Sequence, residues 1–229
     1  MARPAQYIEL ADRLEERWSA LAPGTLVESE HQLAAEFGVN RLTAREAVRE
    51  MERRMAVRRV MGRGTFTAFR VDYRIRLGEV ASFHRTVAEV GHEPSVEVTR
   101  RRWLGRAATR RLVIDRIGLV DGFVATAVTE TFPSEVGQLV GDAVGAGGSV
   151  HEALEAAGHV PRRRSVLVAM EIPEPPLAEA LGYGPAVPPT WRVQSVTVDR
   201  ESGAEIHRSD SWMRTDMFAV AVELDDLAR

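Results

Sequence analysis

The most constraining feature of this sequence is a pair of short helical patterns that are separated by a tight turn and followed by a small hairpin. Ser29 is a suitable N-cap for a helix over residues 30–37, and Gly38 can supply the turn after it. A second amphipathic pattern covers residues 41–54, and another covers residues 5–21. This order predicts a three-helix unit that contains a helix-turn-helix.

The segment that follows these helices predicts a wing. In VRRVMGRGTFTA, residues 57–68, two short alternating β segments flank a Gly-Arg-Gly turn that places Arg63 at the tip. Between residues 40 and 70 the chain has nine arginines and three acids, a local charge of +6 in a chain whose net charge is −3. A basic surface on a winged helix-turn-helix favours DNA binding, and a helical bundle with an incidental hairpin is the alternative.

The motifs of this region resemble those of a known family. The run ESEHQLAAEFGVNRLTAREAV followed by GRGTF resembles the N-terminal domain of GntR-type bacterial transcription factors, over about 65 residues. The resemblance implies a winged helix-turn-helix DNA-binding domain over residues 1–69. It implies DNA contacts from the helix-turn-helix and the wing tip, at His31, Asn40, Arg41, Thr43, Arg45, Arg63 and Gly64. Val27-Glu28 replaces the Leu-Pro of the family pattern, and His31 stands where many relatives have an arginine.

Composition limits what the rest of the chain can do. A chain of 229 residues with 45% hydrophobic residues can bury one sizeable core and a smaller one. No apolar run approaches the roughly 18 residues that span a bilayer, and the N-terminus lacks the pattern of a signal peptide. There is no cysteine. We therefore expect a cytoplasmic protein without a membrane partner.

Residues 70–78 are mixed and charged, and we expect them to form a linker. The remainder, residues 79–229, combines helical patterns with strand-like segments that meet in antiparallel hairpins at VDG (120–122) and RESG (200–203). The expected strands are 95–103, 112–120, 123–132, 164–171, 190–199 and 205–214. The expected helices are one carrying Val80, Phe83, Val87 and Val90, then 134–143, 149–157 and 175–182. The chain is thus predicted to be a mixed α/β protein of two domains, the second an α+β domain with an antiparallel sheet.

This second region resembles the effector-binding UTRA domain of the HutC branch of the GntR family, whose fold is shared with chorismate lyase. The resemblance rests on DRIGLVDG (115–122) with TETFP after it, on GSVHEALEAAG, and on DRESGAEIHRSDSWMRTDMF. Details such as FHRTVAEVGHEPS are most similar to the phosphonate-utilisation regulators of the PhnF type. The resemblance implies a homodimer whose C-terminal domain binds a small effector.

The stretch GAGGSVHEALEAAG, residues 145–158, permits three interpretations. A nucleotide-binding P-loop is excluded because the chain has no lysine and the glycines follow a helix rather than a strand. A plain turn is the simplest interpretation, with Ser149 and Glu152 forming a capping box. The third interpretation adds an anion at the helix N-terminus.

The UTRA resemblance implies that Ser149, His151 and Arg116 bind a phosphate group. Two positions depart from the family pattern: Gly118 replaces a second arginine, and His207 replaces a pocket glutamate. Exchanging a carboxylate for an imidazole favours anions, so we expect a phosphonate, a phosphate ester or a sugar phosphate as effector. An ordinary surface histidine remains the alternative for His207.

These observations favour a DNA-binding transcription regulator, most simply a repressor that a small anion releases from double-stranded operator DNA. We expect no enzymatic activity, no cofactor and no metal, since the six histidines lack metal-ligand spacing. The alternatives are a small-molecule enzyme of chorismate-lyase-like fold with an accessory winged helix, and an architectural DNA binder without a ligand.

Overall fold

The computed structural model describes residues 5–60, 62–76, 79–80, 82–106, 109–185 and 187–223. It divides into two compact units, Met1–Arg70 and Val71–Arg229. The predicted fold class is confirmed, because three helices and a hairpin are followed by a mixed unit that is built on an antiparallel sheet.

The first unit packs three helices against one another and ends in the hairpin. Its elements are α1 (Gln6–Ser19), α2 (Glu30–Phe37), α3 (Arg41–Arg53), β1 (Val57–Val60) and β2 (Gly64–Thr67). Leu14, Leu33 and Met51, one from each helix, are fully buried in a shared core. Ser29 caps α2 in a reciprocal capping box with Gln32. The helix boundaries agree with the sequence patterns because each pattern ends at a cap or a turn.

The second unit is built on a six-stranded antiparallel sheet with the strand order β4-β5-β6-β9-β8-β7. These strands are β4 (Pro94–Leu104), β5 (Arg111–Val120), β6 (Phe123–Pro133), β7 (Pro161–Glu171), β8 (Thr190–Asp199) and β9 (Glu205–Met213). The helices are α4 (Phe83–Ala88), α5 (Ser134–Gly145), α6 (Val150–Ala156) and α7 (Pro175–Ala180). A core that contains Leu112, Phe132 and Leu154 joins the sheet to α5 and α6.

The prediction of a linker at residues 70–78 is wrong for residues 71–76. Val71–Arg76 forms a strand, β3, that pairs in parallel with β10 (Phe218–Glu223). Val71 and Ile75 are buried while the charged residues between them are exposed, an alternation that is typical of a half-buried strand. Residues 77 and 78 of the predicted linker lie outside the described residues.

The first helix of the second unit is also shorter than its pattern. Ser82 caps α4, so the helix begins at Phe83, and Val80 precedes it instead of lying on its face. Val87 is fully buried, as the pattern predicts. Strand β10, which the sequence analysis did not anticipate, brings the end of the chain beside β3.

Candidate DNA-binding surface and ligand cavity

The turn between α2 and α3 fixes where the recognition helix begins. Gly38 has φ 64°, in the left-handed region that glycine adopts without steric cost. The Asn40 side chain then accepts a hydrogen bond from the Thr43 backbone N–H at 2.7 Å and lies 3.1 Å from the Thr43 hydroxyl. Two of the predicted DNA-contacting residues therefore hold the helix N-terminus together.

The positive charge of the first unit is concentrated at the beginning of α3. Arg41 and Arg45 are exposed, and neither forms an ion pair with any residue in the described part of the chain. Further along the helix, Arg49 pairs with Glu46 at 2.6 Å. Within α3, the arginines without an ion pair in the described residues are thus those that the family resemblance assigns to DNA.

Other arginines of the basic segment are neutralised by distant acids. Arg54 pairs with Asp12 and Glu15 of α1 at 2.7 and 2.6 Å, and Arg59 pairs with Glu30 of α2 at 2.8 Å. These contacts hold the three helices and the hairpin together. The arginines that form no ion pair with a described residue therefore cover a smaller part of the surface than the count of arginines along the sequence suggests.

The remaining two predicted contact regions are exposed. Gly64 begins β2, and Arg63 lies at the tip of the hairpin with its guanidinium 5.9 Å from the Phe66 ring centre. His31 is exposed on the first turn of α2. All seven predicted DNA-contacting residues lie at the helix-turn-helix or at the wing tip.

The second unit contains a cavity on one face of its sheet, with about 100 Å³ of space open to water-sized groups. Arg116, Ser149, His151 and His207, which the sequence analysis selected as effector residues, all line it. Since one water needs about 10–15 Å³ of such space, the cavity has room for roughly seven to ten non-hydrogen atoms. The structure therefore brings the four predicted residues together around a space of small-molecule size.

Arg116 is the central cation of this cavity, and it is 94% buried, with a relative exposure of 6%. Its Nη2 donates to the carbonyls of Gly147 and Gly148 at 3.2 and 2.7 Å. Its Nη1 lies 3.7 Å from Glu130. Burial lowers the pKa of Arg116, and Glu130 opposes that shift. The buried charge is thus stabilised by two carbonyl dipoles and one carboxylate.

His207 is buried, so the alternative of a surface histidine is wrong. Its Nε2 lies 2.6 Å from a carboxylate oxygen of Glu130, to which it donates, and its ring stacks on Phe132 with 4.9 Å between centres. The cavity contains a carboxylate although His207 replaces one pocket glutamate, because Glu130 supplies another from β6. Glu130 shares its side of the strand with Phe132, an alternation that could have indicated an inward-facing acid.

Ser149 and His151 lie at the beginning of α6. The Ser149 hydroxyl accepts from the Glu152 N–H at 3.4 Å, so Ser149 caps α6. The predicted capping box is only half formed, because the described residues show no hydrogen bond from the Ser149 N–H to the Glu152 side chain. The Ser149 hydroxyl is 3.4 Å from that of Ser82. His151 Nε2 is 3.3 Å from the carboxylate of Glu155, and its Nδ1 is buried without a protein partner. Both side chains can therefore offer hydrogen bonds to a ligand.

The glycines in front of α6 are explained by packing. Gly147 has φ 90°, and a Cβ there would lie 2.9 Å from the Val96 carbonyl oxygen. A Cβ on Gly148 would lie 2.8 Å from the Ala143 carbonyl oxygen. The loop thus needs glycine to pass close to neighbouring backbone and to present its carbonyls to Arg116.

The position at which relatives carry a second arginine is closed by an aromatic ring. A Cβ on Gly118 would lie 2.9 Å from the Phe83 ring and 2.4 Å from the Thr126 hydroxyl. His84, the next residue of α4, also lines the cavity, and its pKa is lowered by burial and by the positive charge of Arg116. A ligand in this cavity has one fewer arginine at this position than the family pattern would provide.

Comparison with known proteins agrees with the geometry of the first unit. Residues 6–67 match the profile described as bacterial regulatory proteins, gntR family. Residues 6–67 form a GntR-family helix-turn-helix domain. The mannosyl-D-glycerate transport/metabolism system repressor MngR of Escherichia coli K12 is 35% identical over 78 residues. That match covers 33% of this chain and 32% of MngR, about a third of the relative's length.

Solved structures match over nearly the whole chain. PhnF from Mycobacterium smegmatis aligns with a TM-score of 0.63 and 20% identity, covering 96% of this chain and 99% of PhnF. YydK from Bacillus subtilis, described as a possible transcriptional regulator, aligns with a TM-score of 0.52 and 14% identity, covering 96% and 100%. The effector domain of PhnF alone aligns with a TM-score of 0.57 and 14% identity, covering 66% of this chain and all of that domain. The second unit therefore has the fold of a PhnF effector domain.

Within the described ranges, no helix is both long enough and apolar enough to cross a membrane.

Proposed function

We propose that this chain is a ligand-responsive transcription regulator that binds operator DNA as a homodimer and is released by a small anionic effector. The GntR-family domain of residues 6–67 supports the DNA-binding half of this proposal. Arg41 and Arg45, exposed at the beginning of α3, suit bidentate contacts to guanine in the major groove, and Arg63 suits the minor groove or a phosphate. Two such domains in a dimer would contact two half-sites.

The observation that carries the effector half is the buried cation in the cavity. Arg116 lies with Ser149, His151 and His207 around a space of small-molecule size. A buried arginine is costly unless an anion compensates it. Among the described residues, the carboxylate that lies near Arg116 is Glu130, and it is shared with His207. This favours a phosphonate, a phosphate ester or a sugar phosphate as the effector.

Release from DNA needs only a modest coupling between the two units. A coupling free energy of about 1–3 kcal/mol changes operator affinity by about 5- to 150-fold. MngR, a relative that matches this chain over 78 residues, is named a repressor, which supports the direction of regulation.

The test combines DNA binding with ligand binding in one full-length protein. Duplexes selected by the wild-type protein from random-sequence DNA provide the operator. A panel of alkylphosphonates, phosphate esters, sugar phosphates and carboxylates then provides candidate effectors. We expect at least one acid to raise the melting temperature and to release the selected duplex.

The Arg45→Ala substitution tests whether DNA binding and effector binding belong to different units of the protein. It should weaken binding to the selected duplex by about 5- to 150-fold, because a guanine contact is worth about 1–3 kcal/mol. Arg49→Ala is the matched control, since Arg49 is on the same helix and is paired with Glu46. Ligand-induced stabilisation should remain in both variants. Equal loss of DNA and ligand binding in Arg45→Ala would contradict the division of function, and turnover of a bound ligand would support an enzyme instead.

A further inference from the structure

A second buried arginine, which the sequence analysis did not select, lines the same cavity. Arg163 lies on β7, the strand at the far edge of the sheet from β4, and its relative exposure is 7%. Arg116 lies on β5, four strands away in the sheet order. Both guanidinium groups therefore line one cavity, although their strands are four positions apart in the sheet.

The two arginines differ in how their charge is balanced. Arg116 has Glu130 at 3.7 Å and two loop carbonyls. Arg163 makes one hydrogen bond, from Nη2 to the Tyr73 hydroxyl at 2.8 Å, and it has no carboxylate within ion-pair distance among the described residues. The uncompensated positive charge of the cavity is consequently at Arg163.

The donors of Arg163 are also incompletely used. Its Nε and Nη1 are buried, and neither has a hydrogen-bond partner among the described residues. Leaving buried charged donors unpaired lowers the stability of the folded protein. An arginine whose only role was to bind Tyr73 would therefore be destabilising. An acidic group in the cavity can accept from both nitrogens in the bidentate geometry that guanidinium favours.

The neighbouring side chains extend this polar end of the cavity. In the strand register Arg163 is opposite Thr197, and Thr197 is opposite His207. The Thr197 hydroxyl and His207 Nδ1 are likewise buried without a protein partner. Three adjacent strands thus present unused hydrogen-bonding atoms in one row.

We propose that Arg163 forms a second acid-binding subsite and that the effector has an acidic group at each end. This proposal rests on the proposed function, in which the first acid binds at Arg116. A phosphonate or phosphate group is placed near Arg116, Ser149 and His151, and a carboxylate or second phosphoryl group is placed at Arg163. The effector class is therefore a diacid that is small enough for a cavity with room for roughly seven to ten non-hydrogen atoms.

A matched pair of probes tests this on the wild-type full-length protein. Propylphosphonate has one acidic group, and 3-phosphonopropionate replaces its terminal methyl by a carboxylate at the same chain length. Isothermal titration calorimetry should show at least tenfold tighter binding of 3-phosphonopropionate. Equal affinity for the two probes would overturn the second subsite while leaving an anionic effector intact, whereas binding of no acid from the full panel would overturn both proposals.

Variants at β7 then assign the effect to Arg163. Arg163→Gln should weaken the binding of 3-phosphonopropionate at least tenfold and change the affinity for propylphosphonate less than twofold. Arg163→Lys should retain part of the preference for 3-phosphonopropionate. Arg162→Gln, an equal charge change at the exposed neighbouring residue, should change neither. Equal weakening of both probes by Arg163→Gln would instead indicate a purely structural role. The comparison on wild-type protein needs no variant, so it decides the proposal even if Arg163→Gln does not fold.

Discussion

Replacing Asn40 separates the structural and the DNA-facing contributions of one residue. The Asn40 side chain caps α3 through its 2.7 Å hydrogen bond with the Thr43 N–H. Removing such a cap costs about 1 kcal/mol. For a domain of 60–100 residues, that loss lowers the melting temperature by roughly 4–8 °C. Asn40→Ala should therefore destabilise the first unit by about this amount.

Asn40→Asp is the informative partner of that variant. Aspartate caps helices as well as asparagine and is favoured by the helix dipole, so stability should change by less than about 0.5 kcal/mol. Its negative charge would face DNA phosphates, however, and repulsion at 4 Å costs about 1 kcal/mol even at the dielectric constant of water. Affinity for the selected duplex should fall at least fivefold.

Two measurements on the full-length variants check this prediction. Hydrogen exchange of the α3 amides reports the local stability, and fluorescence polarisation with the selected duplex reports DNA affinity. Asn40→Ser, which preserves a capping oxygen without a charge, serves as the control for stability. Wild-type DNA affinity in Asn40→Asp would refute the placement of this helix N-terminus at DNA, and unchanged exchange in Asn40→Ala would refute the contribution of the cap.

Two further predictions concern the second unit. The pKa of His84 is lowered by burial and by Arg116, so between that lowered value and the ordinary value near 6.5 the unfolded chain binds more protons. Stability should fall as the pH drops below about 6.5, and His84→Gln should flatten this part of the melting-temperature profile; an unchanged profile would contradict the assignment. Gly137→Ala should cost about 1–3 kcal/mol in urea unfolding, because its Cβ would lie 2.7 Å from Leu112 Cβ. Gly184→Ala is the control, with nothing within 4 Å of its added Cβ, and equal costs for the two would argue against the steric reason.

The sequence was sufficient for elements whose signals are local. Caps, turns and periodicity predict the three helices of the first unit and the wing. They also predict where along the chain the six main strands lie. The pair β3 and β10 was missed because its partners are far apart in the chain, as the ion pair between Arg76 and Glu223 illustrates at 147 residues. The charged residues on the exposed side of β3 also made the alternation of buried and exposed residues difficult to recognise in the sequence.

The cavity was predictable only in part. Arg116 and Ser149 followed from the family resemblance, whereas Glu130 and Arg163 depend on which side of a strand each residue occupies. Arg163 is the middle residue of an Arg-Arg-Arg run that resembles an exposed charged segment. Strand alternation places its neighbours in solvent and buries Arg163. The register of the sheet therefore determines that Arg163 is buried, which the sequence of three arginines does not show.

The same physical criterion identifies the candidate binding residues in both units. An arginine that is paired at hydrogen-bonding distance with a carboxylate of its own has less free energy to gain from an added anion, because much of its charge is compensated before the ligand arrives. Arg116 is only partly compensated, since Glu130 lies 3.7 Å away and is shared with His207.

Arg41 and Arg45 in the first unit and Arg163 in the second are among the arginines for which no ion pair with a carboxylate is present in the described residues. We propose that their partners come from outside the chain: DNA phosphates and the acceptor atoms of bases for the exposed pair, and a small acid for the buried residue. Since neutralising partners such as Glu15 for Arg54 come from 39 residues away, a charge count along the sequence cannot make this distinction.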